Sequence, residues 1–419
     1  MAGLAGVWVE EADMKRFRFG PGLLVTAAFI GPGTLVTASR AGAGYGVALL
    51  WAVLFSVAAT GILQDMAARV GLAGRRGLAE AIRDSLARRW IQVGALGLIA
   101  GTILLGNAAF QTGNLIGAAL GLNLLSGQPT ALLALGIGGL AGGLLMTGTY
   151  RTIQNATVGL VGLMSLVFCA VAVLTAPDLG DLIAGLLVPR LPPGSLLTVL
   201  ALIGTTFVSY NLFLHASTVL ERWPDAGRND ENLRESRLDT VFAVALGGLI
   251  TASVIVAASP LLGQGADAAN AAAVAEQLTP ILGSAAPVFF GLGLCAAGLT
   301  SAITAPLAAA YAVSGALGWA PDLRSGRFRM LWGFVLVTGV VCAVTLGGAP
   351  YKVILLAQAG NAIVLPLTLI LLLIVVNRTK IMGAYRNSRL ANALGAIVVV
   401  VISGLSLMQL ARVLGLTGS

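Results

Sequence analysis

Polar side chains are rare in this chain, and the informative ones cluster. The single histidine, His215, closes the run ALIGTTFVSYNLFLHAST (Ala201 to Thr218), which also holds Thr205, Thr206, Ser209, Tyr210 and Asn211 among apolar residues. Asn211 and Ser209 both donate and accept hydrogen bonds, as do Thr34 and Gln358 elsewhere. Tyr210 offers apolar area with one hydrogen bond, which suits an organic ligand better than a metal, or lets the ring plug a cavity. His215, one helical turn past Asn211, reads as a proton carrier or as a satisfied core histidine. Asn361 lies one turn from Gln358 and shares its face; for both, hydrogen bonding between helices is the competing role.

Acids are nearly absent from the apolar segments. Asp65 is the one that lies well inside a segment, near its end, and its spacing to Arg69 predicts an i,i+4 pair, as a gate or a fold contact, rather than a substrate contact. Asp239 is expected at the start of another segment. Cys169, Cys295 and Cys342 fall in apolar segments and read as small core residues. One histidine makes no metal-ligating cluster, and no Walker-type phosphate loop is present. Neither an enzyme, a bound cofactor nor an ATP-driven machine is expected.

The segments that must position these residues follow from composition. Hydrophobic residues make up 57% of the chain and charged residues 10%, with a mean hydropathy of +0.93. Such a chain is an all-α polytopic membrane protein whose immediate partner is the lipid bilayer. Runs long enough to span are expected near 21–44, 46–71, 92–121, 127–148, 152–175, 196–219, 238–262, 283–314, 329–347, 351–376 and 391–415. Nothing is left over for a soluble domain.

The net charge of +8 does not imply nucleic acid, because the cations sort by side. Lys15, Arg16 and Arg18 precede the first run. Arg69 to Arg89 follow the second, Arg222 to Arg237 the sixth, and Arg378 to Arg389 the tenth. Arg40, Arg190, Lys352 and Arg412 fall on the other side. This positive-inside pattern predicts an integral protein of the cell (inner) membrane, with a cytoplasmic N-terminus and, after eleven spans, an outer C-terminus. No cleavable signal peptide is expected, since Glu10, Glu11 and Asp13 precede any long apolar run.

Two spans are irregular. The first carries Gly31-Pro32-Gly33-Thr34 in AAFIGPGTLVTASRAG (Ala27 to Gly42). Glycine costs a helix about 1 kcal/mol and proline about 3 kcal/mol relative to alanine. In lipid the freed backbone groups need protein or a watery cavity, so a break here predicts either a buried site or a simple proline kink. The sixth span carries the polar run near Ser209-Tyr210-Asn211. Irregular helices at corresponding positions of two five-helix halves are the sequence sign of a secondary transporter with inverted repeats. The halves would be 21–175 and 196–376, with 1–20 a cytoplasmic segment and 391–415 an added helix.

The stretch GPGLLVTAAFIGPGTLVTASRAGAGYGVALLW (Gly20 to Trp51) resembles the first-helix region of the NRAMP divalent-metal transporters. QDMAARVGLAGRRGLAEAIRD, NLIGAALGLNLL, NLFLHAS and GLTSAITAPLA continue the resemblance in order across nearly the whole chain. It implies the LeuT-type fold: two inverted five-helix repeats plus an eleventh helix, broken first and sixth helices, and alternating access at a site between them. That site would comprise Gly31, Gly33, Thr34, Val208, Ser209, Tyr210, Asn211 and Gln358, with His215, Gln111, Asn114, Arg40 and Asp65 in coupling or pathway roles.

The departures matter most. Where the family has Asp-Pro-Gly-Asn, this chain has Gly31, Pro32, Gly33 and Thr34. The Met-Pro-His-Asn motif aligns with Val208, Ser209, Tyr210 and Asn211. Family acids of the third helix align with Gln111 and Asn114, while His215 and a tenth-helix glutamine, Gln358, survive. Transition-metal selectivity rests on soft sulfur with a carboxylate, and both are missing, so no transition-metal site is expected. A bare divalent ion at mid-membrane without counter-charge is very costly. The leading expectation is a small neutral, zwitterionic or anionic solute, drawn to backbone N–H groups at the start of the outer half-helix. Arg40 would attract anions, repel cations, or merely snorkel. A hydrated divalent cation such as Mg²⁺ is the alternative, and a non-transporting sensor the third. Without the third-helix acids a proton relay is thin, and uncoupled transport becomes an option.

Overall fold

The computed structural model describes residues 20–224, 229–262, 279, 283–346 and 350–413, and the side chains of all these except 229, 346, 350–363, 409, 412 and 413. Helices fill the described residues and no strand occurs among them. In chain order they are α1 (Pro21–Phe29), α2 (Pro32–Tyr45), α3 (Leu50–Gly74), α4 (Leu78–Ser85), α5 (Arg89–Ser126), α6 (Thr130–Met146), α7 (Tyr150–Leu174), α8 (Leu179–Leu187), α9 (Leu196–Thr206), α10 (Ser209–Arg222), α11 (Asn229–Ala258), α12 (Ala286–Leu317), α13 (Gly326–Leu346), α14 (Pro350–Asn377), α15 (Thr379–Met382) and α16 (Arg389–Val413). Among the described residues eight spans are long and apolar enough to cross a membrane, and two bent helix pairs bring the number up to ten. α6 is apolar but shorter, at 17 residues. Each of the eleven expected runs falls on one helix or one broken pair.

The bundle has an inside and a lipid-like outside. α5 runs along α12, α13 and α14, while α1, α2 and α10 lie inward, packed by α3, α11 and α12. α12 is almost wholly buried, whereas α5 exposes Leu98 and Leu105, and α16 exposes Val400 and Leu407. Apolar side chains lose nothing by facing lipid, so helix contact there relies on small residues and close backbones. α5 shows this at Gly117 and Gly121. A Cβ on Gly117 would lie 2.2 Å from Pro32 Cγ, and one on Gly121 would lie 2.5 Å from the Gly291 carbonyl. The first of these seats the opening residue of α2 directly on α5.

One expectation needs correcting. The seventh span was set at 238–262, with Asp239 at its start, but α11 begins at Asn229. The charged residues before Leu238 continue the helix beyond the apolar stretch, so hydropathy misses its first turns. Asp239 therefore sits well inside α11 and is only 4% exposed.

Candidate functional site

α1 and α2 meet at an angle of 62° across Ile30 and Gly31. A helix end leaves its last carbonyls without partners along the helix, and here hydroxyls take them up. Ser301 Oγ, on α12, lies 3.3 Å from the Ala27 carbonyl and 3.4 Å from that of Ile30. Tyr210 donates its phenol to Ala28 at 3.2 Å, and Thr34 Oγ1 donates to Phe29 at 2.7 Å. Four successive carbonyls are thus each approached by a side-chain hydroxyl. The GLTSAIT segment (298–304) supplies Ser301.

The second break lies at Phe207 and Val208, two residues earlier than expected, so Ser209, Tyr210 and Asn211 form the first turn of α10. No glycine or proline marks the interruption itself. Thr205 and Thr206 both donate their hydroxyls to the Leu202 carbonyl at 3.1 Å, a side-chain competitor to the helical ladder. Tyr210 is 5% exposed and bonded to α1 through the Ala28 carbonyl, so its side chain lies between α10 and α1. Asn211 is 1% exposed, and neither its amide nitrogen nor its oxygen has a hydrogen-bond partner. Buried amides are rarely left so.

Gly31 faces Ser301 and Asn114: a Cβ there would lie 3.0 Å from Ser301 Oγ and 3.4 Å from Asn114 Oδ1. Gln111 turns away from this point. Its Nε2 donates to the Ala302 carbonyl at 3.0 Å, and Asn107 donates to Ala305 at 2.8 Å. Pro306, inside α12, has no N–H to offer Ala302 four residues back, and Gln111 fills that gap. Asn114 Nδ2 reaches Gln111 Oε1 at 3.5 Å.

The remaining expected residues divide by depth. His215 is fully buried, with Nδ1 3.0 Å from Gln64 Oε1 and Nε2 without a partner. Asp65 pairs with Arg69 at 2.8 Å, as its spacing predicted, and also with Arg237 at 2.9 Å. Arg69, 5% exposed, further donates to the Tyr385 carbonyl and to Asn387 Oδ1. This network closes the arginine-rich end and does not reach the breaks. The side chains of Gln358 and Asn361 lie outside the described residues. Cys169, Cys295 and Cys342 are free and half-buried.

The break is asymmetric in exposure. Gly33 is exposed and a Cβ there would meet nothing within 4 Å. Arg40, farther along α2, is exposed too, and Val208 is half-buried. All nine residues of α1 are buried. Exposure at the first break therefore falls on α2, at Gly33 and Arg40, while α1 is enclosed. Among the described residues no group of three His, Cys, Asp or Glu side chains could hold a metal ion.

Comparison with known proteins agrees with this architecture. Residues 22–412 match the model of a family described as natural resistance-associated macrophage protein-like (Nramp). The divalent metal cation transporter MntH of Deinococcus radiodurans is 30% identical over 410 residues, covering 94% of this chain and 90% of that one. The MntH of Brucella suis biovar 1 is 30% identical over 408 residues, covering 93% and 86%. Among solved structures, the Eremococcus coleocola manganese transporter superposes with a TM-score of 0.79 at 22% identity, covering 96% of this chain and 88% of that one. MhsT in complex with L-phenylalanine superposes with a TM-score of 0.59 at 15% identity, covering 94% and 97%. The fold is that of the LeuT-type transporters, and this integral membrane protein belongs to the Nramp family.

Proposed function

We propose that this chain is a secondary transporter that moves a small neutral, zwitterionic or anionic solute by alternating access and does not select transition metals. The observation that carries the reading is the state of the first break. The carbonyls of Ala27, Ala28, Phe29 and Ile30 are each met by a hydroxyl from Ser301, Tyr210 or Thr34. A divalent ion would have to displace these neutral donors, and Gly31 and Thr34 supply no carboxylate in return. What remains is the unpartnered amide of Asn211, which both donates and accepts, and the start of α2 around the exposed Gly33. Those groups suit a polar solute better than a bare cation. Gly31, Gly33, Thr34, Val208, Ser209, Tyr210, Asn211 and Gln358 form the site, with 21–175 and 196–376 as its two repeats, 1–20 cytoplasmic and 391–415 an added eleventh helix that leaves the C-terminus outside.

The same geometry supports transport uncoupled from protons. Gln111 donates to a backbone carbonyl, a role an ionised acid cannot fill, so the third helix holds a brace where a relay would need a titratable group. The second reading is a hydrated divalent cation such as Mg²⁺, favoured by the relatives named divalent metal cation transporters. Thermal unfolding in detergent separates the two, because a ligand that binds the folded state raises Tm. Stabilisation by polar organic solutes and none by Mn²⁺ or Mg²⁺ is expected; stabilisation by either ion alone would overturn the lead reading.

A further inference from the structure

Resting on that reading of an alternating-access transporter, we propose that Asp239 is the latch holding half-helix α1 shut, and that parting α1 from Asp239 opens the arginine-rich side. α1 is the natural moving part. It has nine residues, ends at the Ile30–Gly31 break, and is wholly buried while α2 is partly open. Three rungs fasten it to one face of α11. The Gly20 and Gly22 N–H groups donate to the two carboxylate oxygens of Asp239, each at 2.7 Å. Thr26 Oγ1 donates to the Ala243 carbonyl at 2.7 Å. The Phe29 ring lies on Gly247, where a Cβ would sit 2.5 Å from Phe29 Cζ. Positions 239, 243 and 247 repeat every four residues and so share one side of α11.

The first rung differs in kind from the others. Pro21 offers no N–H, and the carboxylate collects the donors on either side of it. It also faces the positive end of that helix. The fit demands glycine: a Cβ on Gly20 would lie 2.5 Å from Asp239 Oδ2, and one on Gly22 would lie 2.9 Å from it. Among the described residues no lysine or arginine lies within 4 Å of this carboxylate, which is 4% exposed. The two backbone donors are its hydrogen-bond partners, and the Arg222 guanidinium acts on it from farther off. Swinging α1 away strips a buried charge of both, so the closed position is favoured until water can reach Asp239.

The test reads the gate without any substrate, so it can fail while transport stands, and absent flux would leave it standing. Cys169, Cys295 and Cys342 are replaced by alanine, Ala27→Cys is introduced, and a membrane-impermeant maleimide is applied from the arginine-rich side. Asp239→Asn, which cannot accept from both N–H groups, is expected to raise the labelling rate on the order of tenfold. Thr26→Val, which removes a neutral rung, is expected to raise it less. Unchanged labelling in a folded Asp239→Asn protein, or an equal rise in Thr26→Val, would overturn the proposal. Should Asp239→Asn not fold, a Thr26→Cys/Ala243→Cys disulfide, added with Asp239 kept to the chain that has the three native cysteines replaced and carries the Ala27→Cys reporter, gives the answer. Labelling suppressed on oxidation and restored by reductant supports the latch; labelling indifferent to the crosslink refutes it.

Discussion

Gln111 Nε2 hands its hydrogen to the carbonyl of Ala302, the one carbonyl of α12 that Pro306 leaves without a helical donor. The contact repairs a proline defect inside a packed bundle. It also fixes what position 111 can be. Gln111→Glu either sets an ionised acceptor against an acceptor or must stay protonated to donate, in a site that is 0% exposed. Leaving such a group unsatisfied costs about 1–3 kcal/mol, and thermal unfolding of the variant should show a loss of that size. Solute uptake by the wild type should be unchanged when a protonophore collapses the pH gradient.

Tyr210 ties α10 to α1 through Ala28. Tyr210→Phe removes one hydrogen bond and keeps the ring, so a loss of about 1 kcal/mol is expected in unfolding experiments. Tyr210→Ala removes the ring as well. It should cost about 3–5 kcal/mol, as for other buried aromatics, and should make a cysteine at position 211 reactive. Equal stability of the two variants would argue against a ring that packs between the helices.

Two glycines near the first break make opposite predictions. Gly117→Ala places a Cβ 2.2 Å from Pro32 Cγ and should destabilise by about 1–3 kcal/mol through overpacking. Gly33→Ala meets open space and gains helix propensity of at most about 1 kcal/mol. Its Tm should hold or rise slightly, while solute affinity falls if the start of α2 is the binding surface.

At the arginine-rich end, Arg69→Ala and Arg237→Ala should differ. The Arg69 side chain is 6% exposed and holds Asp65, Tyr385 and Asn387. That of Arg237 is 57% exposed and, among the described residues, holds Asp65. Exposed ion pairs contribute about 0–1 kcal/mol, so Arg237→Ala should be nearly silent and Arg69→Ala clearly destabilising, read by thermal unfolding.

Much of this was legible in the sequence where the signal is local. Gly31-Pro32 breaks a helix by its own chemistry, and Asp65 and Arg69 meet because they lie one turn apart. The second break was placed two residues late because threonine hydroxyls end α9, and these also occur within continuous helices. Arg237 on Asp65, Ser301 on Ala27 and Asp239 on Gly20 join residues far apart in the chain, so no periodicity announces them. α11 runs past its apolar stretch into charged residues, and hydropathy reports the bilayer, not the helix, so Asp239 opens the apolar run yet lies inside the helix.

The central claim is that a site without a carboxylate at Gly31 does not carry transition metals. Mn²⁺ and Mg²⁺ uptake into proteoliposomes, with wild type beside Gly31→Asp plus Thr34→Asn, tests it most directly. Wild type should carry neither ion above empty liposomes, and the double substitution, whose new carboxylate would lie beside Ser301 and Asn114, should gain Mn²⁺ uptake. Saturable uptake of either ion by the wild type would contradict it.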